Sequence, residues 1–399
     1  MIQGDALVAD DITVQQLWQD PYPIYQRLRR DAPVCFVPAV GLWFVSRWAD
    51  VEQAAGDPLA FPAATPGSPL DRTLGGRSIL TVDGQEHADW RAMLDRSMRP
   101  RAVEDAAPQI VTDVIEETID SFAARGSADL MAEFFEPVSV LSLARLIGIG
   151  HVDAPTLRRW FHGLSVGASN FEADRDKQAR ADAMSDEISQ SLQPLFAQRL
   201  AKPDDTMVSH LLAGTSGNLD GRLAALLPTF KLVLIGGLQE PGHGAGSTLF
   251  GMLSHPEQWS AFVADPSGLV RKAVDEGLRW LSPIGEQTRG SGPDAVLSGV
   301  TIPEGQRVAL LVASANRDQS VFGPTADEYD MFRARNPHAG FGFGPHFCVG
   351  HYLARLQVRT ALQLLAERLP GLRLDPDHPV QVRGWEYRAP TALHVRWNT

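Results

Sequence analysis

Phe341-Gly-Phe-Gly-Pro-His-Phe-Cys-Val-Gly350 is the most informative stretch of this 399-residue sequence. Its three glycines and one proline predict a tight, exposed loop, and Cys348 stands just before a strongly amphipathic helix predicted over Tyr352–Glu367. The N–H groups of such a turn and the positive end of a helix both lower the pKa of a thiol. A cysteine that only fills a core needs neither the glycines nor the neighbouring histidine. The stretch therefore indicates a metal-ligating thiolate at Cys348.

The overall composition excludes several classes of protein. The chain carries 36 basic and 48 acidic residues, a formal net charge of −12, which disfavours broad nucleic-acid binding and docking on anionic membranes. Two cysteines, Cys35 and Cys348, are too few for a disulfide framework or a zinc module and suit a reducing cytosol. Residues 1–15 show no basic-then-apolar leader, and no run of 18 apolar residues occurs. We therefore expect a cytoplasmic protein without a signal peptide or a transmembrane helix.

Hydrophobic periodicity predicts a mainly α single domain over residues 1–399 with a minor β portion. The β portion is expected from about residues 1–60, 290–330 and 370–399. Residues 61–80, rich in Pro, Gly and Ser, are predicted to form a loop, and glycine and proline are again frequent from Asn336 to Gly350. Helices are predicted over Val111–Phe122, Val138–Ile147, Asp182–Leu200, Leu223–Leu238, Leu269–Leu281 and Tyr352–Glu367. Leu223–Leu238 is nearly uncharged, which favours a long helix in the core.

The cysteine loop resembles the signature of the cytochrome P450 family, the haem-thiolate monooxygenases. That signature, Phe-x-x-Gly-x-[His/Arg]-x-Cys-x-Gly, is met by Phe341, Gly344, His346, Cys348 and Gly350. The resemblance implies the single-domain P450 fold, with haem b lying between the long central helix and the cysteine-loop helix. It implies Cys348 as the iron ligand, with Phe341, His346 and Gly350 around the haem. A thiolate ligand favours O–O cleavage over reversible oxygen carriage.

Other segments match the resemblance. Glu276-Gly-Leu-Arg279 corresponds to the family's Glu-x-x-Arg element, in which two residues three apart share one helix face and form a structural pair. Alone, such a pair is no more than a common surface ion pair. Its further partners are expected within residues 316–318 and 329–333.

Haem carries two propionates, which need cationic or hydrogen-bonding partners. The resemblance implies this role for residues from three segments. They are His87, Arg91, Arg289 and His346. A solvated surface position is the alternative for a single histidine or arginine.

The long central helix departs from the family pattern. Where relatives carry an acid followed by a threonine, this chain has Gln239 and Glu240, followed by Pro241, which is predicted to kink the helix. The resemblance implies a catalytic role in proton delivery for Gln239 and Glu240. A carboxylate at this place also suggests that hydrogen peroxide can serve as oxidant. The glycine-rich run at 242–247 lacks the third glycine of the dinucleotide fingerprint and the lysine of a P-loop, so nucleotide binding is rejected.

The Gln-Glu-Pro variant resembles bacterial aromatic O-demethylases that act on guaiacol- and syringol-like methoxyphenols. The products are a phenol or catechol and formaldehyde. A small planar aromatic needs a tight, mainly apolar slot. Its candidate walls are Phe161, Phe171, Val233, Gly237, Ile284, Gln287, Thr288 and Tyr387. Each is also compatible with an ordinary core position. A hydroxylase of terpenes, fatty acids or macrolides and a non-catalytic haem sensor remain alternatives.

The sequence shows no dinucleotide fingerprint and no cysteine spacing for an iron–sulfur cluster. Electrons are therefore expected from NAD(P)H through a separate ferredoxin or reductase. That partner is predicted to dock at a basic patch of Arg99, Arg101, Arg355 and Arg359.

Overall fold

The computed structural model describes residues 8–65, 67–334 and 337–399. Within them the chain is mainly helical, as predicted. The helices are α1 (Val14–Gln19), α2 (Tyr22–Asp31), α3 (Trp48–Gly56), α4 (Pro69–Leu74), α5 (Gly84–Met98), α6 (Pro100–Asp120), α7 (Glu136–Ile147), α8 (Ala154–Ala168), α9 (Arg175–Ala201), α10 (Met207–Ala213), α11 (Leu219–Leu238), α12 (Glu240–Leu253), α13 (Pro256–Ala264), α14 (Pro266–Trp280), α15 (Val312–Ala315), α16 (Gln319–Phe322) and α17 (His351–Arg368). The six predicted helices correspond to α6, α7, α9, α11, α14 and α17.

The strands are short and form small sheets. They are β1 (Val34–Val37), β2 (Leu42–Val45), β3 (Ser127–Asp129), β4 (Gln287–Gly290), β5 (Val296–Leu297), β6 (Val300–Thr301), β7 (Arg307–Leu310), β8 (Arg373–Leu374), β9 (Val382–Arg383), β10 (Ala389–Pro390) and β11 (His394–Arg396). One sheet has the order β1-β2-β7-β4, in which only the β2–β7 pair is parallel. β3 lies outside the predicted β segments; it is ordered by pairing with β11 from the far end of the chain. Local patterning carries no signal for such a pairing.

The predicted loop at residues 61–80 needs correction, and a few predicted positions lie outside the described residues. Residues 61–80 were expected to form a loop, but they contain α4, because Ser68 caps the backbone N–H of Asp71 and Pro69 fits the first helical turn. Gly75 ends that helix in the left-handed conformation. Residues 1–7 of the predicted N-terminal portion, Pro66 of the predicted loop, and residues 335–336 lie outside the described residues.

The central helix is built as two pieces. In α11, Leu223, Leu226, Phe230 and Leu234 are buried and recur three or four residues apart, so they share one face of the helix. α11 packs on α7, α8 and α9. α11 ends at Leu238, and α12 begins at Glu240 with Pro241 in its first turn, where a missing N–H is tolerated. The predicted kink is therefore an interruption between two helices.

By length and composition alone, Leu219–Leu253 is apolar enough to cross a membrane, contrary to the expectation from the sequence. Half of its most apolar window is buried in the protein, and Leu232, Val233 and Gly236 line an internal cavity. The segment also contains the buried Lys231. We therefore interpret it as the core of the helical portion.

The cysteine loop needs glycine for steric reasons. Gly342 and Gly344 have φ angles of 72° and 65°, which residues with a side chain rarely adopt. A Cβ atom at Gly344 would also lie 2.5 Å from the carbonyl oxygen of Ala55 at the end of α3. The loop is thus pressed against α3, and this contact sets its position ahead of α17.

We expect Gly344→Ala to lower the free energy of unfolding by about 1–3 kcal/mol more than Gly299→Ala, because both have positive φ but only the first site is overpacked. Gly299 has φ 76° and open space where a Cβ would be. Urea unfolding midpoints of the two purified variants measure the difference. Equal midpoints would show that the approach to Ala55 is not what requires glycine.

Candidate active site

A cavity of about 370 Å³ lies between α11–α12 and the cysteine loop with α17. Its wall is mostly apolar, with a few polar side chains. All the residues predicted to bind the cofactor line it: His87, Arg91, Arg289, Phe341, His346, Cys348 and Gly350. So do Glu240 and most of the predicted substrate residues: Phe171, Val233, Gly237, Ile284, Gln287, Thr288 and Tyr387.

Two residues predicted for catalysis or substrate binding do not line the cavity. Gln239 is fully buried, and neither polar atom of its amide has a hydrogen-bond partner. Successive residues near a helix point in different directions, so Glu240 faces the cavity and Gln239 does not. Phe161 lies behind the wall, with its ring edge-on to Tyr387 at 6.1 Å. The structure therefore gives no support for direct contact of Gln239 or Phe161 with a bound molecule.

Cys348 is held with its sulfur at the cavity. Its N–H donates to the carbonyl of Phe341 at 2.9 Å, which closes the loop. Burial raises the pKa of the Cys348 thiol, whereas the backbone N–H groups of Gly350 and His351 and the charges of Arg91 and Arg355 act in the opposite direction. Because burial outweighs them, a bound metal ion would add the charge that favours the thiolate.

Another part of the cavity wall carries a cationic donor without a full set of partners. Arg289 is 2% exposed; its Nη1 donates to the carbonyl of Thr288 at 2.8 Å, and its Nη2 has no partner. A buried, unpartnered guanidinium N–H calls for an anion. A sulfur ligand and such a donor on one apolar cavity fit a haem, with Cys348 at the iron and Arg289 at a propionate.

The neighbouring predicted propionate residues form a connected group. The His87 and His346 rings lie 4.3 Å apart, and His346 Nε2 lies 3.0 Å from Asp83 Oδ1. Burial, helped by Arg289, lowers the pKa of His346 to about 4, and burial also lowers that of His87. Both imidazoles are therefore neutral near pH 7. Arg91 donates to the carbonyl of Phe347 at 2.6 Å, so it also fixes the cysteine loop.

Glu276 and Arg279 form a buried, bidentate ion pair. Arg279 Nε and Nη2 each donate to a carboxylate oxygen of Glu276 at 2.7 Å. The other N–H groups of the guanidinium reach carbonyls of Asn316, Ala326 and Glu328 at 2.7–2.8 Å. Arg333 adds a further contact to Glu276 at 3.3 Å. The pair thus ties α14 to the segment that leads into the cysteine loop.

Sequence reasoning missed two acidic residues of the cavity, Glu286 and Glu386. Thr288 Oγ1 donates to the Glu286 carboxylate at 3.1 Å, and burial raises the pKa of Glu286 to about 7. Burial raises the pKa of Glu386 well above its usual range, and nearby Glu286 adds to this. Each acid is adjacent to or between predicted wall residues. Outside regular helices and strands, however, the sequence does not predict where a side chain points.

The comparisons with known proteins agree with this geometry. A profile described as Cytochrome P450 matches residues 268–377. Cytochrome P450 130 of Mycobacterium tuberculosis is 30% identical over 410 residues, covering 96% of this chain and 97% of that protein. The chain belongs to the cytochrome P450 family. Vitamin D(3) 25-hydroxylase of Pseudonocardia autotrophica is 31% identical over 374 residues, covering 91% of this P450 and 90% of that protein.

Solved structures give the same result. The crystal structure of CalO2 superposes with a TM-score of 0.85 at 26% identity, covering 98% of this P450 and 99% of that chain. The P450 enzyme CxnD, for C–S bond formation in chuangxinmycin biosynthesis, reaches a TM-score of 0.87 at 27% identity, covering 99% and 98%. This P450 is therefore a haem b monooxygenase that depends on a redox partner. No methoxyphenol demethylase is among the relatives named here, so the family is supported and the predicted subgroup is not.

Loss of Arg289 should loosen the haem. Arg289→Leu removes a charge-assisted hydrogen bond worth about 1.5–3 kcal/mol, so haem should dissociate about tenfold to a hundredfold faster. The rate of haem transfer to apomyoglobin measures this. Arg96→Leu, on α5 outside the cavity lining, is the matched control. Equal transfer rates in both variants would contradict the assignment.

Proposed function

We propose that this P450 is a single haem-monooxygenase domain over residues 1–399 that O-demethylates a small methoxyphenol, giving a phenol or catechol and formaldehyde. Haem b bound at Cys348 supplies the iron at which dioxygen is activated. The observation that carries the proposal is the carboxylate of Glu286 in a mostly apolar wall. A phenolic hydroxyl is a hydrogen-bond donor that such a carboxylate accepts.

The acidic wall separates the candidate substrates. Glu240, Glu286 and Glu386 all line the cavity, and the Tyr387 hydroxyl is close enough to all three for them to raise its pKa further, after burial. A terpene hydrocarbon would leave these acids without hydrogen-bond partners. A methoxyphenol offers both an aromatic ring for the apolar wall and a hydroxyl for the acids.

The wall of α11 leaves room for a flat ring. A Cβ atom at Gly236 would meet nothing within 4 Å, whereas one at Gly237 would lie 2.8 Å from Leu143 Cδ2. Gly236 thus opens the cavity, and Gly237 allows α11 to pack on α7. Val233, one turn before Gly237, and Phe171 add apolar surface to the same cavity.

Hydroxylation of a different substrate is the second candidate. The similarity to a vitamin D(3) 25-hydroxylase favours it. The non-catalytic sensor is disfavoured because the family relatives are monooxygenases. Purified holoenzyme with its reductant, tested on methoxyphenols, terpenes, fatty acids and macrolides, distinguishes the candidates. One formaldehyde per methoxyphenol consumed supports demethylation; hydroxylated terpene, fatty acid or macrolide without any formaldehyde from methoxyphenols would overturn it.

The role of Glu286 can be tested directly. Glu286→Gln should weaken guaiacol binding about tenfold to a hundredfold, since a hydrogen bond to a charged group contributes about 1.5–3 kcal/mol. Binding of 1,2-dimethoxybenzene, which has no hydroxyl, should change little. Dissociation constants come from the substrate-induced shift of the haem absorption band. The same loss for both ligands would mean that Glu286 does not bind the phenol.

Glu286 also predicts a pH dependence. Burial raises the pKa of Glu286 to about 7, so the carboxylate that accepts the phenol is lost as the pH falls through 7. Guaiacol affinity should therefore drop about tenfold for each pH unit well below 7. In Glu286→Gln this pH dependence should disappear. A flat affinity profile in the unmodified enzyme from pH 5 to 8 would contradict the assignment.

The redox partner is proposed to be a separate ferredoxin or reductase that uses NAD(P)H. Arg99 and Arg101 are exposed near the start of α6, and Arg101 has only a loose 3.9 Å pair with Asp105. Arg355 already has partners: its guanidinium lies 4.3 Å from the centre of the Phe341 ring and 3.4 Å from the Asp275 carboxylate. Arg359 donates to the Arg355 carbonyl. We expect Arg99 and Arg101 to contribute most to docking. The same proposal includes a cytoplasmic location, consistent with two free cysteines.

Reversing charge at Arg99 and Arg101 should slow electron transfer from an acidic partner at least tenfold, and less so at high salt. Peroxide-supported turnover should be unaffected, because it needs no partner. Stopped-flow reduction and product formation with peroxide measure the two. A parallel loss of both would point to misfolding and contradict the docking site.

A further inference from the structure

An ionisable cluster lies behind the cavity wall, where α7, α8 and α12 meet. Glu240 is 8% exposed, and neither oxygen of its carboxylate has a hydrogen-bond partner. His243, on the next turn of α12, places Nδ1 3.6 Å from Glu240 Oε2. Its other nitrogen, Nε2, lies 3.9 Å from Oε1 of Glu136 on α7. The imidazole thus stands between two carboxylates, one of which lines the cavity.

The outer end of the cluster reaches the surface. Glu136 forms an ion pair with Arg158 of α8, whose side chain is 33% exposed. The exposed His162, one turn along α8, is the other titratable group close to Glu136. On the cavity side, Tyr387 is the further titratable neighbour of Glu240. The row from Arg158 to Glu240 therefore connects solvent with the cavity.

The charges in this row favour a stored proton. Burial alone would lower the pKa of His243, but Glu136 and Glu240 outweigh it and raise the pKa to about 9. Burial raises the pKa of Glu240, whereas Glu136 stays ionised because His243 and Arg158 outweigh its burial. At neutral pH the imidazole is protonated beside a carboxylate that can take up a proton. A relay into the cavity requires this arrangement, with a proton donor next to a proton acceptor.

We propose that Glu136, His243 and Glu240 form a proton path from the surface to the cavity, with His243 as the residue that holds the proton. Monooxygenation takes up two protons and two electrons for each dioxygen. In each transfer, the Glu240 carboxyl releases its proton to an acceptor in the cavity, and His243 reprotonates Glu240. Solvent, entering beside Glu136 and Arg158, reprotonates His243, so the chain is unchanged after each turnover.

The two gaps of 3.6 and 3.9 Å are slightly longer than hydrogen bonds. A small rotation of the imidazole shortens either gap to hydrogen-bond distance. The Phe161 ring lies edge-on to the imidazole at 6.1 Å and limits how far it can turn. Phe161, predicted as a substrate contact, would thus act as a positioning residue for His243.

The test compares His243→Gln and Glu136→Gln with His210→Gln, all in the haem-loaded enzyme. His210 is a control because it pairs with Ser97 and Asp205 outside the cavity lining. Histidine NMR titration of the carbon monoxide-bound reduced enzyme reads the cluster without turnover. The His243 imidazole should titrate near pH 9 in the unmodified enzyme and at least one pH unit lower in Glu136→Gln. An unchanged titration would overturn the proposed contact.

Turnover then separates proton supply from structural damage. With reductase, the share of electrons recovered in product should fall at least tenfold in His243→Gln and Glu136→Gln but not in His210→Gln. Peroxide-supported turnover should change much less, because hydrogen peroxide brings its own protons. Losses of equal size with both oxidants, or full coupling in both variants, would overturn the path.

The pH profile gives an independent reading. Reductase-driven product formation should fall as the pH rises through 9, where His243 loses its proton, and in Glu136→Gln this fall should begin at lower pH. Since any oxidised substrate serves as reporter, failure of methoxyphenol demethylation would leave this test intact. An identical profile in Glu136→Gln, or a coupling defect in Glu386→Gln alone, would place the proton entry elsewhere.

Discussion

The buried ion pair of Arg279 with Glu276 is the contact on which the site depends. Through the carbonyl of Asn316 it fixes the segment after α15, and the side chain of Asn316 in turn accepts the N–H of Ala339 at 2.7 Å. Ala339 leads directly into the cysteine loop. The sulfur of Cys348 is therefore positioned by α14, although no residue of the Glu276–Arg279 pair lines the cavity. A buried pair of this kind costs desolvation, and its value lies in fixing one arrangement of these segments.

The cavity wall carries charged groups of both signs. Arg91 and Arg289 lie on it with His87 and His346, and Glu240, Glu286 and Glu386 line it as well. Glu286 is close enough to Arg289 for each residue to favour the charged form of the other. Because the interior screens charge weakly, a change at either residue alters what the other accepts. The arginine proposed for a haem propionate and the acid proposed for a phenol are thus coupled.

Much of this architecture could be predicted from the sequence, and the limits have physical reasons. The cysteine loop and the Glu276–Arg279 element were readable because their spacing is local and their glycines are sterically required. Periodicity located the main helices because each buries one face. It could not locate β3, whose partner strand lies more than 260 residues away, nor α4, which depends on capping in a stretch rich in loop-forming residues.

Side-chain direction was the main limit at the site itself. Gln239 and Glu240 are neighbours of similar size, and only the geometry of the break between α11 and α12 shows which one reaches the cavity. Glu286 and Glu386 come from distant segments that a bridge between Ile284 and Tyr387 brings together. Glu136 and His243 are likewise on separate helices. The spacing of residues within one segment carries no information about contacts between distant segments.

The interruption at Gln239 also places residues of different roles on two separate helices. Val233 and Gly236, which shape the space for a ligand, belong to α11, while Glu240 and His243 belong to α12. The backbone hydrogen bonds of the two helices are separate. A substitution that shifts one helix by a fraction of an ångström therefore need not shift the other. Substitutions that reshape the space for a ligand can thus fall in α11 while α12 keeps the residues of the proposed proton path.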